Sequence, residues 1–219
     1  MMCQTHTPRS PVTMHRSVAL LTLVTVALTI PAHAGFTAIW ISDSDGDWTD
    51  PQNWQGNVVP QPSDSVLIDR PADITVTIDS SVTVSQLQCA ENLAIASGQL
   101  TTNGPASIQG DLNVLNGILR ATQSFIVEGD FSATGLGQLA ANGVNAAILA
   151  NGPTIIQDIS LLTTNGGSIL LPNATTYEVT LSCSFPDAIR AIGIGSVIDL
   201  SSVETIAANN PSCQGQVQI

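Results

Sequence analysis

The chain has 219 residues, 43% of them hydrophobic but only 4% aromatic, with 10% charged and a formal net charge of −12. It has no lysine, and its arginines are Arg9, Arg16, Arg70, Arg120 and Arg190 only, so the basic stripe that a nucleic-acid partner requires is lacking. The aliphatic content is too high for a disordered chain, and the acidic balance disfavours anionic membranes while permitting divalent cations and neutral glycans.

Residues 1-34 read as an export signal peptide. Arg9, His15 and Arg16 precede an apolar run from Val18 to Ile30, and Ala32-His33-Ala34 is an A-x-A cleavage site. The run is shorter than the roughly 20 residues of a membrane-spanning helix. A secreted or cell-surface chain is therefore expected, with no membrane span after signal removal and with either Met1 or Met14 as its start. His6, His15 and His33 all leave with the signal, which removes Ser-His-Asp and Cys-His catalysis and zinc spacings from consideration.

Residues 35-64 hold all three tryptophans, Trp40, Trp48 and Trp54. Asp43, Asp45 and Asp47 alternate here and are candidate calcium ligands, since carboxylates at alternate positions can converge on a hard cation. An EF-type loop, however, wants Gly at its sixth position and Glu at its twelfth, where Trp48 and Trp54 stand. The simpler expectation is that the aspartates form turns and the tryptophans cover the open end of the first coil. A sugar-stacking platform is the other use tryptophans would have.

The text from Trp40 through Gly46-Asp47-Trp48, Asp50, Asn53-Trp54, Val59-Pro60 and Asp64-Ser65-Val66-Leu67-Ile68 resembles the entry segment of bacterial secreted repeat proteins of the autotransporter-passenger and pectin-lyase-like kind. That resemblance covers about 30 residues. It implies an all-β, single-stranded, right-handed parallel β-helix with a Trp-rich N-terminal cap, most often structural or adhesive and in a minority a polysaccharide-degrading enzyme.

Residues 65-182 carry the repeat. Ile74 to Ile78 and Val82 to Leu87 alternate apolar and polar residues, the strand period. Gly98-Gln99-Leu100, Gly117-Ile118-Leu119 and Gly137-Gln138-Leu139 then recur at steps of 117 − 98 = 19 and 137 − 117 = 20. Ile108-Gln109-Gly110-Asp111-Leu112 returns 19 residues on as Val127-Glu128-Gly129-Asp130-Phe131. Two patterns sharing one period predict a β-solenoid, because equivalent positions must stack at about 4.8 Å. The glycines and five Asn-Gly pairs are expected to supply positive φ or close approach at corners. Asn-Gly hairpins in a meander or sandwich are the alternative.

Later glycines, in Gly167-Ser168-Ile169 and Gly195-Ser196-Val197, echo the motif at looser steps. Phe185 to Ile192 is the one short helix candidate. Residues 183-219 are expected to be irregular, with a last coil and a disulfide between Cys183 and Cys213 that would stabilise by about 3.5 kcal/mol. Other cysteine pairings remain open, and Cys89 is expected to be a buried, inert thiol.

Carboxylates are the remaining chemistry. Asp111 and Asp130 share a repeat phase and would stack about 4.8 Å apart, near the carboxylate spacing of retaining glycosidases. Glu128 adds negative charge beside them, and Arg120 is the one cation nearby in sequence. The competing reading is a structural aspartate ladder. The expected function is a secreted, non-catalytic solenoid with a structural, adhesive or surface-display role, with no cofactor unless calcium is bound. The alternative is a carbohydrate-active or glycan-binding module that takes extracellular polysaccharide or other cell-surface components as partners.

Overall fold

The computed structural model describes residues 35-180 and 189-208. The expected signal 1-34 and both Cys183 and Cys213 lie outside them. Every strand pairing among the described residues is parallel, and the strands sort into three sheets. The first sheet runs in order through Ala38–Ile39, Ser65–Ile68, Gln86–Cys89, Ala106–Ile108, Ser124–Val127, Ala147–Ala150, Ser168–Leu170 and Val197–Asp199. The second runs through Gly46–Asp47, Thr75–Ile78, Asn92–Ala96, Leu112–Leu115, Phe131–Thr134, Thr154–Gln157, Ala174–Val179 and Thr205–Ala208. The third holds Ser81–Val84, Gln99–Thr102, Ile118–Ala121, Gln138–Asn142, Ser160–Thr164 and Ile189–Ile192. The chain visits the three sheets in turn and repeats, which is a parallel β-solenoid. Asn-Gly pairs turn corners between sheets and close no hairpin.

The period read from the sequence is the coil. Leu100, Leu119, Leu139 and Leu161 pair directly in the third sheet. In the first sheet Leu87, Ala106, Phe125 and Ile148 pair at steps of 106 − 87 = 19, 125 − 106 = 19 and 148 − 125 = 23. Alternate residues of each strand point inward, so one buried row runs Ile68, Cys89, Ile108, Val127, Ala150. Burying each such aliphatic side chain contributes about 1.5–3 kcal/mol, and its neighbours above and below are like residues.

Three local expectations change. The Ile169 and Val197 segments belong to the first sheet, whereas Leu139 belongs to the third, so their glycines are not in the phase of Gly137. Ile189–Ile192, inside the helix candidate, is a strand paired with Leu161 to Thr164, because pairing with the preceding coil outweighs weak local helix propensity. Strands also begin earlier than Ile74, since Ala38–Ile39 and Gly46–Asp47 already pair with Val66 and Val76.

Corner geometry is divided between two residues. At the corner that follows the second sheet, positive φ falls on an in-register row, Ser97 (62°), Asn116 (52°), Gly135 (79°) and Asp158 (54°), and at the corner that follows the third sheet it falls on Gly143, Asn165, Gly166, Gly193 and Gly195. Gly98, Gly117 and Gly137 serve close approach instead. A Cβ on Gly98 would sit 2.6 Å from the Ser80 carbonyl oxygen, and one on Gly137 would overlap that of Gly117. Gly129 and Gly152 stack likewise on the carbonyls of Gly110 and Gly129. Backbone thus lies on backbone where the glycine motif repeats.

Candidate functional site

Asp111 and Asp130 occupy adjacent coils in register, as their shared phase predicts. Their arrangement is directional. The Asp111 carboxylate accepts the backbone N–H of Asp130 at 2.8 Å, and Asn92 one coil earlier accepts the N–H of Asp111 at 2.8 Å. The Asn92 amide in turn donates to Asp73 at 2.9 Å. Asp111 and Asp130 stand just before strands of the second sheet, where a side-chain oxygen of the preceding coil takes the backbone N–H in place of a ladder carbonyl. The position after Asp130 in the row is Pro153, which has no N–H, and there the chain of acceptors stops. Asn or Asp serves equally at each step, because a neutral amide oxygen and a carboxylate oxygen both accept.

Glu128 lies in the turn before Asp130 and accepts from the Asn151 amide at 2.8 Å, another bond between coils. Arg120 is exposed in the middle of Ile118–Ala121, stacked between Thr101 and Ala140 in the third sheet. The structure therefore brings Asp111, Asp130 and Glu128 together near one corner and places Arg120 on a different sheet.

The Asp43, Asp45 and Asp47 segment is dispersed in the same way. Asp43 forms an ion pair with Arg70 at 2.6 Å, and Asp45 accepts the Thr75 N–H at 2.8 Å. The Asp47 side chain is exposed, while its backbone carbonyl accepts from the Asn53 amide at 3.1 Å. Among the described residues no three His, Cys, Asp or Glu side chains converge as metal ligands would.

All three tryptophans are fully buried. Trp54 meets Trp40 edge-on at 5.0 Å between ring centroids and Trp48 at 4.9 Å, and their backbones continue the coil through Trp40 N–H to the Leu67 carbonyl and Trp48 N–H to the Thr77 carbonyl. No third-sheet strand precedes Ser81–Val84 in this first coil. The short turns Pro51–Asn53 and Gln55–Asn57 stand there instead, carrying Trp54 inward. The indole faces are thus core, and a sugar ring cannot stack on them without unfolding the end.

Cys89 is buried between Ile68 and Ile108, its thiol donating to the Glu91 carbonyl at 3.1 Å. Burial pushes its pKa up to about 12, which suppresses the reactive thiolate. The sequence reading did not single out Asp158, which is 1% exposed. It accepts from both the N–H and the hydroxyl of Thr180, the latter at 2.6 Å, and from the Gln157 amide at 3.3 Å. Its register with Asn116 was the available signal, since Asn116 likewise accepts the Leu136 N–H one coil on. Tyr177 beside it is fully buried with its hydroxyl on the Ile159 carbonyl, and burial followed by the Asp158 charge raises its pKa. Asn173, in the sequon Asn173-Ala174-Thr175, spends its amide on the Asn151 carbonyl at 2.6 Å.

Among the described residues no helix is long and apolar enough to cross a membrane. Comparison with protein-family models, with curated proteins and with solved structures gave no match.

Proposed function

We propose that this chain is a secreted, non-catalytic β-solenoid with a structural, adhesive or surface-display role. One observation carries the reading: of the pair spaced for catalysis, Asp111 is an acceptor that ties its coil to the next through the Asp130 N–H, and neighbouring Glu128 likewise accepts from the Asn151 amide. A nucleophile or general acid committed to a backbone N–H of its own scaffold is held for stability, and Arg120 faces out from another sheet. What the fold offers to a partner is its outward rows. Thr83 and Thr101 align with Arg120 in the third sheet, and Thr77, Asn113 and Ser132 with Ala94 in the second, so that most positions carry a small polar group at the inter-coil distance. Export by residues 1-34, a right-handed coil and kinship with autotransporter-passenger proteins belong to the same proposal, supported by the Ala32-His33-Ala34 site and the tryptophan segment.

The test is incubation of the purified chain, beginning at Gly35, with a panel of neutral and acidic polysaccharides with and without calcium. No new reducing or unsaturated ends are expected. Product release by the wild type that Asp111→Asn and Asp130→Asn both abolish would overturn the reading in favour of a carbohydrate-active enzyme.

A further inference from the structure

Five Asn-Gly pairs punctuate the coils, and their side chains are not held alike. Asn116 accepts the Leu136 N–H at 3.0 Å. Asn142 accepts from Thr164 and Asn165, while the following Gly143 N–H donates to the Thr164 carbonyl. Asn151 donates to Glu128, and Asn165 donates to Asn142 with the next N–H, that of Gly166, bonded to the Ser196 hydroxyl. Asn103 differs. Its side chain is exposed at the corner between Gln99–Thr102 and Ala106–Ile108, and neither that side chain nor the Gly104 N–H has a hydrogen-bond partner among the described residues. Its own backbone is anchored, N–H to the Val84 carbonyl and carbonyl to the Thr122 hydroxyl.

From this contrast we infer that Asn103-Gly104 is a site of spontaneous, self-contained chemical modification, the one Asn-Gly pair that the folded chain leaves open to deamidation. The Gly104 backbone nitrogen attacks Asn103 Cγ, the bond from Cγ to Nδ2 breaks, and Nδ2 departs as ammonia carrying the proton lost from the Gly104 nitrogen. A five-membered succinimide remains. Water then opens it, at the side-chain carbonyl to give aspartate or at the main-chain carbonyl to give isoaspartate. Glycine at the second position matters because no Cβ hinders the attacking nitrogen. At the other four pairs the Asn amide must first break a bond between coils, and at Asn142 and Asn165 the attacking N–H is engaged as well. The product adds a negative charge at the corner, and in the isoaspartate form the main chain runs through Cβ and Cγ, so the carbonyl that now accepts from Thr122 becomes the free carboxylate.

The test compares folded full-length chain with the same chain in denaturant, both in mildly alkaline buffer, with conversion at each Asn-Gly followed by peptide mass mapping and an isoaspartate-specific methylation assay. In denaturant all five should react at similar rates. In the folded chain Asn103 should react about fivefold faster than any other, the factor one ordinary hydrogen bond confers. Asn103→Gln should remove the folded-state signal and leave the denatured signal at the other four. Another pair reacting first, an even spread over all five, or no folded-state reaction at Asn103 while the denatured chain reacts would each overturn the inference.

Discussion

The first coil and the coils from Leu93 to Leu139 exclude water by opposite means. The first coil buries three indoles against one another and replaces its third strand with two short turns. The later coils hold no tryptophan and rely on repetition: leucine on leucine, glycine backbone on glycine backbone, Asx oxygen on the next N–H. A repeating coil finds its partner in its own neighbour, so small aliphatics suffice. Among the described residues the first coil has a coil on one side only, and there bulk covers what repetition does not.

The largest expected effect is at that end. Trp54→Ala removes the ring lying between Trp40 and Trp48 and should cost about 3–5 kcal/mol in a denaturant titration. A loss below that of an ordinary mid-coil Leu→Ala would break the comparison.

Gly129→Ala tests the middle coils, because its Cβ would overlap the Gly110 carbonyl. We expect a loss of about 1–3 kcal/mol, as overpacking costs. Gly56→Ala in the first coil, with positive φ and open space around it, should lose only about 1 kcal/mol of backbone strain. Equal losses at the two sites would show that stacking glycines are not what sets coil spacing.

Cys89 reports whether the inner row stays dry. Its folded pKa is raised from an ordinary 9.0 to about 12, so the unfolded chain releases its proton first as pH rises. Stability is unaffected below pH 9 and falls above it, by up to about 1.4 kcal/mol per pH unit until pH reaches 12. Thermal unfolding followed from pH 8 to 11 should show this loss, and Cys89→Val should flatten it below pH 10, where Tyr177 has yet to contribute. Tyr177, raised for the same reason, adds a similar slope at higher pH.

The smallest effect sharpens the aspartate row. Asp111→Ala should cost about 1 kcal/mol by stranding the Asp130 N–H, and Asp111→Asn close to nothing, as Asn92 already does the same work. Asp130→Ala, with Pro153 beyond it, should cost less than Asp111→Ala. The reverse order would remove the directional ladder.

The coil itself was legible because Leu100, Leu119 and Leu139 must recur once per turn for like residues to stack, and the stacking of Asp111 on Asp130 followed from the same phase. The roles at corners were less so. Sequence marks Gly117 as special but does not say whether a positive φ or a missing Cβ is required; the contacts assign the first to Asn116 and the second to Gly117. Gly167 and Gly137 look alike in text and sit on different sheets, since corners of unequal length change the phase without changing the motif. Asp158 escaped notice because a buried carboxylate is recognised by what surrounds it, here Thr180 and Gln157 from the sheet corner.

By itself the sequence determined the period, the inward and outward faces and the placement of bulk at one end, because each depends only on residue type and spacing along the chain. Only the tertiary structure decided which partners Asp111 and Glu128 take and that Arg120 stands on another sheet, because the N–H or amide within about 3 Å of a carboxylate comes from another coil.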